Sequence, residues 1–150
     1  MRSAAHGLTY FCDDVRFEVN GKRTFVGVYG RNLVVEGETP VHLPLFSAVT
    51  SLIFPSEKTF KTIKFVLIKK IKEENIIIFE NTHDDIKTSK SKGKFTHINT
   101  VIQIQNFEVD TNFTVLSRAY IDDLEVKLGA LDVILEDSES NSKIQQEFSE

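Results

Sequence analysis

Tryptophan is absent from the 150 residues, cysteine occurs once, and long apolar runs are missing. Each shortage removes a class of protein. One thiol, Cys12, allows neither an internal disulfide nor a cysteine-based zinc site, which points to a reducing, cytoplasmic compartment. The longest apolar runs, such as FVLI at 65–68 and IIIF at 76–79, are far too short to cross a bilayer. Residues 1–10, MRSAAHGLTY, lack the apolar core of a signal peptide, so no membrane role is expected. Missing as well are a Gly-x-Ser-x-Gly elbow, a Walker-type loop and a dinucleotide glycine fingerprint.

What is present suits one soluble globular domain: 41% hydrophobic and 27% charged residues, with twelve Phe and three Tyr to fill an interior. The net charge of −4 is unevenly spread. Residues 136–150 (EDSESNSKIQQEFSE) hold five acids and one Lys, whereas residues 57–97 hold ten Lys and six acids. A basic middle and an acidic end are compatible with weak nucleic-acid binding. Aromatic residues do not interleave with the lysines as a stacking platform requires, so a solvated strand face and a free tail are the better reading.

Period-two alternation dominates the chain. Val15, Phe17 and Val19 alternate with Arg16 and Glu18, and Asn20-Gly21 follows, the dipeptide that a type I′ turn prefers. A two-residue turn there sets Phe17 opposite Thr24, Val15 opposite Val26 and Glu18 opposite Arg23. Val15, Phe17, Val26 and Val28 then share one apolar face. LPLFSAVTSLIF (43–54) is apolar on both faces, as a central sandwich strand would be, with Pro44 near its start. FKTIKFVLIKK (60–70) alternates Ile63, Phe65 and Leu67 against Val66 and Ile68. Strands are also expected at 75–80, 95–109, 111–120 and 124–135, the last with a bulge at Gly129-Ala130. The polar span 81–94 reads as a mobile loop. The expected fold is therefore all-β: an antiparallel β-sandwich of about eight strands over residues 1–136, with a disordered acidic tail at 137–150. Closure into a barrel would hide the strand edges equally well.

The segment FCDDVRFEVNGKRTFVGVYGRNLVV resembles a family of small bacterial proteins without an assigned function. The residues that carry the resemblance are Cys12, Asp13, Asp14, Arg16, Glu18, Gly21, Lys22, Gly27, Val28, Tyr29 and Gly30, with Leu43-Pro44 further on. It covers about the first third of the chain. It implies a bacterial or prophage cytoplasmic origin, and no activity or cofactor.

Candidate chemistry centres on Asp13 and Asp14. The expected register gathers them with Tyr29 and Arg31 at one end of the hairpin, where carboxylates, a phenol and a guanidinium could hold a ligand or a cation. The plainer account is a turn cap, because consecutive residues on a strand point to opposite faces. Two further acidic pairs, Asp84-Asp85 and Asp122-Asp123, would suit a calcium site only if the loops met at one end of the sandwich. His6, His42, His83 and His97 show no metal-ligand spacing, and His83 beside Asp84 sits in the loop expected to be mobile. Cys12 at the end of an apolar strand reads as a buried small hydrophobe rather than a nucleophile.

No constellation supports catalysis, so the chain is expected to be a non-catalytic protein-interaction module without metal or cofactor, its partner a protein or a second copy. Strand edges and a basic surface would make the contacts. The basic surface comprises Lys61, Lys69, Lys70 and Lys72 with the Lys87–Lys94 loop. The alternative is a small-molecule or calcium-like ion-binding module built on the Asp-Asp loops.

Overall fold

The computed structural model describes residues 5–84 and 93–136. Nine strands form two sheets: β1 (His6–Phe17), β2 (Arg23–Val28), β3 (Asn32–Glu36), β4 (Val41–Pro55), β5 (Thr62–Ile71), β6 (Glu74–Asp84), β7 (Phe95–Val109), β8 (Phe113–Ile121) and β9 (Leu124–Glu136). One sheet runs β2-β1-β4-β7 and the other β3-β9-β8-β5-β6. All pairings are antiparallel except β3 with β9, which is parallel. The described residues thus make the expected β-sandwich. β3 is one strand beyond those expected, β1 begins at His6, and one expectation needs correcting: residues 81–84, read above as loop, continue β6, where Asp84 pairs with Thr62. The expected tail at 137–150 and most of the expected loop lie outside the described residues.

β4 lies between β1 and β7, and its inward side chains (Phe46, Ala48, Thr50, Leu52, Phe54) are all buried. Phe46 stacks on Phe107, with ring centroids 4.3 Å apart and planes 11° from parallel. Phe11 and Leu67 join that cluster, while Leu52 and Phe54 belong to a second one with Ile63 and Phe65. Thr50 falls between the two. Thr9 donates its hydroxyl to Ser117 at 2.8 Å and lies 3.2 Å from the Thr50 hydroxyl. This buried polar layer joins the two sheets, and mutual hydrogen bonding offsets the cost of burying its oxygens. Six of the eleven Phe among the described residues are core residues, as the Phe-rich composition suggests.

The hairpin departs from the expected register. Its loop has three residues, Val19–Gly21, with Asn20 (φ 67°) and Gly21 (φ 73°) both left-handed. Glu18 N donates to Lys22 O at 2.7 Å. Phe17 therefore faces Arg23 and Val15 faces Phe25, one residue out from the two-residue turn. Packing explains the choice. This register brings Val15 and Phe25 together over Val49, Val101 and Cys12 on the outer face of β4 and β7. Phe17 and Val28, placed above on one apolar face with Val15, are 68% and 51% exposed. Glu18 accepts instead from the Thr24 hydroxyl at 3.1 Å. Because the hairpin folds over β4, Ser47 and Val49 are buried from outside while Phe46 and Ala48 are buried from inside.

Truncating Phe46 to Ala opens a cavity at the stacked rings and is expected to cost about 3–5 kcal/mol in urea unfolding. Phe17→Ala, at an exposed site, should stay within about 0.5 kcal/mol. Equal losses from the two would contradict this core.

Candidate functional site

Asp13 and Tyr29 come together as the sequence suggests, by a different route. Tyr29 N donates to Phe11 O at 2.8 Å, the Tyr29 ring stacks on Phe46 at 6.2 Å, and its hydroxyl donates to Asp13 Oδ1. Gly27, at φ 66°, makes room for this. A Cβ there would run into the Asp13 carboxylate, and its backbone favours glycine in any case. Burial, then the bond to Asp13 and its negative charge, push the Tyr29 phenol well above the usual range. Burial, then the charges of Asp13 and Asp14, raise the Cys12 thiol. Cys12 is fully buried, as its position on the apolar strand predicts.

Asp14 turns the other way. Its Oδ1 accepts from Val15 N at 2.8 Å and from Gln103 Nε2 at 3.3 Å. Gln103 Nε2 also lies 3.4 Å from Ser47 Oγ, which donates to Asp13 O at 3.2 Å. The Asp14 carboxylate and the Asp13 carbonyl thus tie the hairpin to β7 and β4, while the Asp13 carboxylate holds Tyr29 against Phe46. Arg31 is held through its backbone instead, its carbonyl accepting from Asp132 N at 3.2 Å. Arg16 is exposed, opposite Thr24.

The lysines lie on the other sheet. Lys69 Nζ is 3.9 Å from Asp110 and 4.4 Å above the Phe113 ring. Lys70 pairs with Thr114 across β5 and β8, and Lys72 (φ 54°) makes the turn into β6. Lys70 and Lys72 border a shallow depression of about 320 Å³ with Asp132, whose carboxylate already accepts from the Thr114 hydroxyl at 2.7 Å. Residues 87–92 of the expected basic loop are outside the described residues.

Of the other acidic pairs, Asp122 accepts from Lys61 N and Thr62 N at 3.0 and 3.1 Å, tying the β8–β9 turn to the start of β5. Asp84 is opposite Thr62 at that same end, while Asp13 and Asp14 lie on β1 beside the Phe46 cluster. The condition set above for a calcium site, that the loops meet at one end, is not met by Asp13 and Asp14 with Asp84 and Asp122; Asp85 lies outside the described residues. Among the described residues, no three His, Cys, Asp or Glu side chains are grouped to hold a metal. His83 sits edge-on to Phe65, 6.2 Å between ring centroids, and its Nε2 is 3.3 Å from Asn81 Nδ2.

Two features escape the sequence reading. Beneath the hairpin tip, Tyr10, Arg23, Phe25, Val49, Ser51 and Asn99 enclose a groove of about 370 Å³. The alternation of Leu8, Tyr10 and Cys12 was the available signal for it. The second is the edge position of β7: among the described residues the sheet order ends at β7, whose ladder with β4 covers residues 96–105 without a break.

The sequence profile of a family of unknown function, DUF6941, matches residues 8–134. The chain belongs to that family. The match runs from β1 nearly to the end of β9, so the family is defined by the whole sandwich and not by the hairpin motif alone. No curated protein matches the sequence.

Tyr29 and Cys12 give a pH signature. Both are acids whose folded pKa is raised, so the folded chain keeps their protons longer than the unfolded chain does. Their contribution is complete below the ordinary values of 9.0 and 10.0 and is lost as pH climbs past them. The melting temperature should fall between about pH 9 and pH 11, and Tyr29→Phe should fall less steeply. Superimposable pH profiles would remove the assigned role of the Tyr29–Asp13 bond.

Proposed function

We propose that this family member is a non-catalytic, cytoplasmic interaction module that takes a β-strand of another protein chain along β7. The observation that carries the reading is the character of this edge. Residues 95–107, FTHINTVIQIQNF, contain no Asp, Glu, Lys or Arg. Strand edges are ordinarily guarded by charge, brevity or bulges, because their unpaired N–H and C=O groups invite pairing. The other three edges have such guards. β2 begins with Arg23, β3 has only five residues and ends in Glu36, and β6 carries Glu74, Glu80 and Asp84 with a register shift opposite Leu67/Ile68. β7 has none over that span, which fits a strand kept open for a partner.

In this reading Asp13, Asp14 and Tyr29 hold the hairpin in place and carry out no chemistry. Lys69, Lys70 and Lys72, with the exposed Lys61, give the opposite sheet a basic border for secondary contacts. A bacterial or prophage origin accords with the resemblance of the N-terminal segment.

The test is affinity capture with identification of the captured chain by mass spectrometry, a second copy counting as a partner. A partner held by the wild-type chain should be lost when Asn99→Lys and Gln105→Lys place charge on the β7 edge. A partner retained equally by both proteins, or none with a wild type that stays at 17.1 kDa, would contradict the reading.

A further inference from the structure

The geometry points to a second copy of this chain as the occupant of the β7 edge, an inference that rests on the edge reading above and gives it a partner and a register. We infer that two β7 strands pair antiparallel around a two-fold axis at Val101, joining two four-stranded sheets into one of eight strands.

Three observations carry this. The first is self-compatibility. In a two-fold pair each side chain meets side chains of the same strand, so a charge at any central position meets its own kind or needs an opposite charge placed symmetrically. β7 has no charge over 95–107, and Val101 is the midpoint of that span. The second is the pairing that follows. With Val101 opposite itself, Asn99 of one copy faces Gln103 of the other and His97 faces Gln105, all on the outer face. Amides both donate and accept, so amide-to-amide contact needs no other partner chemistry. On the inner face, Ile98 meets Ile104 and Thr100 meets Ile102. β7 keeps an unbroken register and no left-handed residue over 96–105, up to Asn106 at φ 52°.

The third observation is independent of the strand pattern. Beside this edge, between the two sheets, lies a space of about 210 Å³ lined by Ile63, His83, Ile98, Asn99 and Thr100. The proposed register brings Ile104 and Ile102 of the second copy against Ile98 and Thr100, next to that space. Apolar surface at the edge of each sandwich is then covered by apolar side chains of its twin.

Sedimentation velocity tests this with the full chain. Across about 1 to 100 µM, the molar mass should rise from 17.1 kDa toward twice that value. His97→Asp with Gln105→Asp sets carboxylates opposite one another at both ends of the pair and should weaken dimerisation at least about tenfold. His97→Lys with Gln105→Asp sets opposite charges at the same places and should restore dimerisation, which a mere loss of folding cannot do. A wild type that stays at 17.1 kDa, or a dimer indifferent to both variants, overturns the inference. If the wild type is monomeric but captures another protein that edge charges release, self-pairing fails and the edge reading stands. If edge charges release nothing, both fail.

Discussion

The burial of β4 on both of its faces is the constraint from which the rest of the architecture follows. From inside, Phe46 is held in the stacked-ring cluster; from outside, Val49 lies under Val15 and Phe25 of the hairpin. A strand covered on both faces can be apolar at consecutive positions, and β4 is buried without a break from Phe46 to Thr50. For the hairpin to reach that outer face, β1 must leave the β4 ladder at Cys12, where its last pairing with β4 is to Ser47. Asp13 and Asp14 stand at that departure. Tyr29 receives one carboxylate on the inner side, and Gln103 reaches the other on the outer side. The residues that look most like a reactive cluster are thus those that hold the hairpin over the sheet.

The same constraint shapes the remaining surface. The hairpin covers β4 but stops short of the far side of β7, leaving as an edge a strand that carries no charge over residues 95–107. A strand so placed would be a hazard unless something paired with it, and its sequence shows none of the guards carried by the other edges. The proposed function therefore rests on backbone hydrogen-bonding groups rather than on any side-chain constellation.

Much of this was legible in the sequence, and the misses have physical causes. The alternation of Ile63, Phe65 and Leu67, and of Ile98, Ile102 and Ile104 against Gln103 and Gln105, follows the period of the strand; the structure buries the first set and Ile102 and leaves Ile98 and Ile104 half-buried. Gly129 does lie at a register change, opposite Ser117. The hairpin register failed because a local rule for Asn-Gly competed with a tertiary contact: Phe25 rather than Val26 had to meet Val15 over Val49. β3 was missed because its partner is distant in sequence, with Asn32 beside Asp132, and no local pattern announces a five-residue parallel edge. Arg31 was placed with Asp13 by counting along the hairpin, whereas the chain turns there to join β9. Which strand would end a sheet was not readable, because order within a sheet is a property of the connections.

Residue-resolved hydrogen exchange measures the central claim, that β4 is sealed from both sides while β7 is open along one. In dilute solution, amides of residues 46–50 should exchange slowest, while over residues 96–105 the alternate set facing away from β4 should exchange fast and slow down as protein concentration rises. Exchange of that outward set as slow as β4 at every concentration, or fast exchange across residues 46–50, would contradict the account.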